Sequence, residues 1–242
     1  IWKAGALRLL RERACTQYAR QVIPTLVDGI QILLPEIEIS LGLNVSVRSR
    51  RLEGRLLLHL LYDPEMSSIA LDMGIVALKA LHQANASSAP PFLSDKTYEV
   101  LRSVRVVLGE MLNSDSLTSK QRRELWRLVT HYAKKTHGDQ VLLHGDLHPS
   151  NVIIDLEGNS LGFIDLEAMR IGKAATNFAP LWGAYHFADP VLGQRFYHMY
   201  AECFPAVLDD EFYEAAKAEL ALRSCLHIRE SVRSRNTQLE NR

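Results

Sequence analysis

The sequence is short of cysteine. Its three thiols, Cys15, Cys203 and Cys225, are scattered along 242 residues and form no CxxC pair. That excludes a disulfide-stapled scaffold and reads as buried thiols in a reducing compartment. A charge excess is also missing: 28 Lys and Arg offset 28 Asp and Glu. Nucleic-acid binders need a basic surplus or stripe to meet phosphates, so no nucleic-acid partner is expected. No apolar run approaches 18 residues; the longest, Leu56–Leu61, is interrupted by His59. No transmembrane helix and no membrane partner are expected. The charged start, apolar middle and cleavage site of a signal peptide are absent, which points to the cytoplasm. The opening IWKAG starts on Ile1 rather than Met and reads as a chain cut inside a domain. What remains is globular: 47% hydrophobic with no net charge, long enough for one large domain or two small lobes.

The pattern along the chain changes twice. Residues 6–22 predict a helix, with Leu7, Leu10, Ala14 and Tyr18 at helical spacing, Arg8, Arg11 and Arg13 toward water, and Pro24 as its stop. Ile30 to Leu61 alternates and is β-branched, punctuated by Pro35, Gly42 and Gly54, and predicts two or three short antiparallel strands. Helices are expected over 65–84, 95–113 and 118–135, the last capped by Thr118 or Ser119. VIIDLEGNSLGFID, with Gly158 and Asn159 in its turn, predicts a β-hairpin. Further helices are expected near 177–187, 190–203 and 209–232, before a polar tail that frays. The organisation is a β-rich piece, 1–63, and a larger helical piece, 64–242, with a hairpin at its centre.

Chemistry concentrates in His144–Glu167, HGDLHPSNVIIDLEGNSLGFIDLE. Asp146 sits in a loop after an apolar strand, Asn151 opens the hairpin, and Asp165 ends its returning strand. The hairpin folds Asn151 and Asp165 toward each other, so two carboxylates and one amide oxygen surround a small volume. Hard oxygen ligands with room for water and phosphate suit Mg²⁺. A carboxylate alongside can accept a hydroxyl proton, which completes the parts needed for phosphoryl transfer.

HGDLHPSN followed by FIDLE resembles the aminoglycoside phosphotransferase/choline kinase family of small-molecule kinases. The resemblance implies an α+β, protein-kinase-like two-lobe fold. Residues 1–54 would form a truncated nucleotide-binding lobe, and 55–242 a mostly helical catalytic and acceptor-binding lobe. It implies Mg²⁺ and ATP or GTP as cofactors, and a nucleoside triphosphate and a small hydroxyl-bearing acceptor as partners. Asp146 would be catalytic, and Asn151 and Asp165 would hold the metal. Lys3 looks like the third-strand lysine that grips the nucleotide phosphates, and Glu12 like its helix partner. RRLEG, Arg50–Gly54, resembles the hinge, placing Arg51 and Leu52 at the nucleotide. His144 would support the loop backbone. His148 would face the acceptor, the metal's surroundings or solvent, and Glu167 an acceptor amine or solvent.

Two departures from the family pattern stand out. The Gly-rich loop expected before Lys3 does not occur in the chain, and Asn177 stands where members often have Asp. The missing loop motivates a different reading, a non-catalytic nucleotide-binding or scaffolding module. A protein kinase is disfavoured because neither Asp-Phe-Gly nor an activation segment follows. A zinc site at His144 and His148 is disfavoured because Gly145 and Pro149 make the segment a loop. Residues 189–220 carry seven acids (Asp189, Glu202, Asp209, Asp210, Glu211, Glu214, Glu219) against Arg195 and Lys217. They read either as a wall for a cationic acceptor or as a solvated helix face.

Overall fold

A computed structural model of the chain describes residues 2–41, 45–87, 89–93, 117–134, 140–205 and 211–224. The chain divides into two compact units, Ile1–Ser94 with Asp139–Pro205, and Asp95–Gly138 with Ala206–Arg242.

The first unit opens with helix α1, Trp2–Val22. Short strands follow: β1 (Leu26–Val27), β2 (Ile30–Leu33), β3 (Ile37–Leu41), β4 (Val45–Ser49) and β5 (Arg55–Leu56). Helices α2 (Leu57–Leu61) and α3 (Ser67–His82) come next. LLHLL is therefore a helical turn and a half, not the strand expected there. A short apolar run has no period of its own, and burial of Leu57, Leu60 and Leu61 on one side decides it.

After the second unit's first segment come β6 (Gln140–Leu143), the hairpin β7 (Val152–Asp155) and β8 (Ser160–Phe163), and β9 (Arg170–Lys173). The hairpin follows from its turn. Asp155 Oδ1 accepts the Gly158 N–H at 3.0 Å, and Asn159 takes a left-handed φ of 48° that suits asparagine. β7 and β8 lie inside a five-stranded sheet of order β1-β2-β8-β7-β5. β2 runs parallel to β8 and β5 antiparallel to β7, so strands from the first sixty residues flank the hairpin on both sides. β3 pairs with β4, and β6 with β9, as separate antiparallel ribbons. The sheet draws on residues either side of position 54, and the 1–54 and 55–242 lobe division remains a proposal.

Helices Ala174–Ala188 and Pro190–Cys203 complete this unit. They form an aromatic core in which Phe178 stacks on Trp182 and Phe196, and Tyr185 on Phe196. The Tyr185 hydroxyl donates to the Ala70 carbonyl at 2.5 Å, tying this core to α3.

The second unit contains a helix over Ser119–Lys134 and another over 211–224. The first starts with a reciprocal cap: the Gln121 N–H donates to Thr118 Oγ1 at 3.3 Å, and the Thr118 N–H to Gln121 Oε1 at 2.9 Å. The helix expected at 95–113 and the fraying tail lie outside the described residues. Among the described residues no helix is long and apolar enough to cross a membrane.

Candidate functional site

β6 delivers the chain into the loop His144–Asn151. Gly145 has φ +88°, and a Cβ there would run into the Ala168 carbonyl. Only glycine lets this loop press against the turn that follows Asp165. His144 is fully buried and tied into the loop by its backbone and both ring nitrogens. Its backbone N–H donates to Asn177 Oδ1 at 3.1 Å, its Nδ1 accepts the Asp146 N–H at 3.4 Å, and Nε2 lies 2.9 Å from the Ile164 carbonyl. An Nδ1 that accepts leaves the proton on Nε2, which donates to Ile164. The imidazole thus joins the Asp146 loop to the residue before Asp165.

Asn151 closes a short turn, Pro149–Asn151, that His148 caps: the Ser150 N–H donates to His148 Nδ1 at 3.3 Å. The Asn151 amide donates to the Asp146 carbonyl at 2.9 Å and to Asp146 Oδ2 at 3.3 Å. Its backbone carbonyl accepts the Ile164 N–H at 3.1 Å, the first rung beyond the hairpin. Asp165 then turns into the left-handed region, φ 58° and ψ 54°, which costs a non-glycine residue about 1–2 kcal/mol. His144 and Asn151 grip Ile164 from opposite peptide groups and hold that turn in place.

The far side of Asp165 is covered by α1. Arg8 forms an ion pair with Glu167 and approaches Asp165 Oδ1 at 3.7 Å. Arg11 Nε donates to the Glu167 carbonyl at 2.7 Å, and its Nη2 to the Met169 carbonyl at 3.5 Å. Glu12 is half-buried, and its carboxyl is pushed above the usual range by burial and then by the charges of Asp165 and Glu167.

The structure of α1 changes several expectations. The face of α1 given to the core holds at Tyr18 but not at Leu7 and Leu10, which are exposed, while Cys15, Thr16 and Ala19 are buried with Tyr18. Arg8 and Arg11 meet the 165–169 turn instead of water, because carbonyls and carboxylates there satisfy their guanidinium groups. The Glu167 carboxylate pairs with Arg8, and its place beside an acceptor amine or solvent remains a proposal. Lys3 does not lie on a strand: it is in the first turn of α1. It lies nine positions before Glu12 in one helix, two and a half turns, so the two positions lie on opposite sides and about 13 Å apart along the axis. One helix cannot bring them together as a pair.

A cleft of about 470 Å³ opens beside the hairpin. Arg51 and Leu52 line it, with Ile153, Ile164 and His59. Leu52 rests on β8 where Gly162 leaves room; a Cβ at Gly162 would sit 2.5 Å from Leu52 Cδ1. The cleft reaches Ile164, the neighbour of Asp165. His59, Ile153 and Ile164 were not singled out from sequence; only hairpin register could have flagged the two isoleucines.

Elsewhere the acidic stretch is partly spent within the protein. Asp189 caps its helix through Val191, Glu214 pairs with Lys217, and buried Glu219 pairs with Arg223 at 3.1 Å. Asp209 and Asp210 lie outside the described residues.

The phosphotransferase enzyme family matches residues 6–215, which takes in most of α1, the cleft and the whole His144–Glu167 segment. The chain belongs to that family. No curated protein matches the chain at a significant level. Among solved structures, aminoglycoside phosphotransferase APH(3'')-Id from Streptomyces rimosus superposes with a TM-score of 0.60 at 20% identity, covering 89% of this chain and 82% of that one. The type VIII aminoglycoside-3'-phosphotransferase gives 0.63 at 16% identity, covering 92% and 82%. Aminoglycoside 2'-phosphotransferase-IIIa, solved with GDP, gives 0.62 at 16% identity, covering 94% and 78%. These likenesses establish the protein-kinase-like fold of the family for this chain.

Among the described residues no three His, Cys, Asp or Glu side chains converge on a metal position. The oxygen set at the hairpin end nevertheless fits Mg²⁺, which keeps several waters and binds through one or two carboxylates plus substrate phosphates. The side chain of Asp165 is 41% exposed. Asn151 spends its amide nitrogen on Asp146, which leaves Oδ1 as the free donor atom.

Proposed function

We propose that this family member transfers a phosphoryl group from a Mg²⁺-bound nucleoside triphosphate to a hydroxyl of a small molecule. The observation that carries the reading is the pair of hydrogen bonds from the Asn151 amide to Asp146, made where the hairpin end also presents Asp165. Asp146 is then aimed by its neighbour, and Asn151 Oδ1 and Asp165 remain to hold Mg²⁺.

In this reading Asp146 accepts a hydrogen bond from the acceptor hydroxyl, aligns its oxygen for in-line attack and takes its proton late. Positioning rather than strong basicity dominates such a transfer. The metal, when bound, neutralises charge on the phosphates. The base lies in the cleft against Leu52, Ile153 and Ile164, and its phosphates run toward Asp165. His148, exposed beside Asp146, faces the acceptor side. The neighbouring structures support these ligand classes: one relative is solved with ADP and streptomycin, another with GDP and kanamycin. A cytoplasmic setting, where nucleoside triphosphates are abundant, suits the reaction.

The test is nucleotide turnover across aminoglycosides, amino alcohols and sugars, in the longest natural polypeptide that carries this sequence. Asp146→Asn is expected to lower turnover of the accepted substrate by about 10² or more while nucleotide still binds. Unchanged turnover would remove Asp146 from the mechanism. Nucleotide binding without transfer to any acceptor would favour a non-catalytic module.

A further inference from the structure

Helix α1 places two guanidinium groups on the turn that carries Asp165, and the two do different things. Arg11 holds backbone only, the carbonyls of Glu167 and Met169. Arg8 holds carboxylates, Glu167 closely and Asp165 Oδ1 at 3.7 Å. Exposure separates them further. Of Arg8's two carboxylate partners, Glu167 is 23% exposed in its side chain and Asp165 41%. Glu167 is therefore the anchor, and the contact to Asp165 is the looser, water-reachable end. Glu12 adds a third acid to the same face, four residues along from Arg8. Without a cation nearby, Asp165, Glu167 and Glu12 would repel one another.

We propose that Arg8 and Arg11 are positioning residues with opposite effects on metal loading. Arg11 fixes the shape of the 165–169 turn and so favours the cation. Arg8 is a resident positive charge on Asp165 that Mg²⁺ must displace, and it stays tethered to Glu167 when that happens. The inference rests on Asp165 being a Mg²⁺ ligand of the nucleotide site. α1 then acts as a latch: its position sets how readily Asp165 is released to the metal.

The experiment measures nucleotide binding against Mg²⁺ concentration by calorimetry, in the unaltered protein and in Arg8→Gln and Arg11→Met. Arg8→Gln removes one charge near a solvent-exposed ligand, and the half-saturating Mg²⁺ is expected to fall about threefold, more at low salt. Arg11→Met is expected to raise it by a similar factor. Arg11→Lys should not restore it, because a point charge cannot fork across two carbonyls. A merely structural role would lower melting temperature in each variant and leave the Mg²⁺ midpoint unmoved, which would overturn the latch. An unchanged or raised midpoint in Arg8→Gln would overturn it even if Arg11→Met fails to fold. If the unaltered protein binds nucleotide with no Mg²⁺ dependence, the proposed function falls, and the latch with it.

Discussion

Asn177 and His144 are bound across 33 residues of sequence: the Asn177 side-chain oxygen accepts the His144 backbone N–H at 3.1 Å. The same side chain donates to the Leu142 carbonyl at 2.9 Å, and both residues are buried. One amide thus satisfies a donor and an acceptor at the exit of β6, where the ladder to β9 stops.

Asn177→Asp should therefore be harmful despite its similar shape. A carboxylate keeps the acceptor for His144 but faces the Leu142 carbonyl with no proton to give. Leaving that buried carbonyl unpaired is expected to cost about 1–3 kcal/mol. Urea unfolding of the variant against the unaltered protein measures it, with Asn177→Leu expected to lose at least as much.

The Asn151 amide orients Asp146, so Asn151→Ala should lower turnover by about 10²–10³ with little loss of fold. Asn151→Asp should not rescue it, because an ionised carboxylate cannot donate to Asp146 Oδ2. Steady-state kinetics at saturating Mg²⁺ separates this loss of aim from weaker metal binding.

His82 gives the protein an acid-sensitive point away from the site. Burial lowers its pKa to about 3, and its Nε2 is enclosed without a partner next to Tyr200 and Phe204. The unfolded chain takes up this proton near pH 6.5 and the folded one does not. Stability is therefore full above pH 6.5 and declines as pH falls from there toward 3, by at most about 1.4 kcal/mol per pH unit. Replacing His82 with Gln should flatten the pH dependence of unfolding between pH 6.5 and 4.5, measured as the change in urea midpoint.

The hairpin and the placement of Asn151 and Asp165 at its two ends were legible because their signals are local: a Gly-Asn turn between apolar runs, with Asn151 and Asp165 flanking them. Register then follows from the turn, Val152 opposite Phe163. The burial of α1 was not legible. Its apolar residues are few, and the side that meets the 165–169 turn carries Arg8 and Arg11, whose partners lie some 155 residues away. No periodicity count reports an arginine that will find a carbonyl. Lys3 differs for a related reason: IWKAG is too short to carry a helical or strand period of its own, and the residues after it make it the start of α1. β9 escaped notice because RIGK has no alternation, and only its pairing with β6 makes it a strand.

The position of the hairpin within its sheet has a consequence for how the protein comes into being. β8 pairs with β2 and β7 with β5, contacts that close loops of roughly a hundred residues or more. Such closures are slow, because chain entropy is lost before any contact repays it. During synthesis β2 and β5 leave the ribosome long before β8 and β7 exist. Those early strands expose pairing edges for the whole interval, and the cleft and Asp165 assemble together in a late step. Factors that shield strand edges during translation should therefore raise the yield of active protein more than factors that stabilise the finished fold.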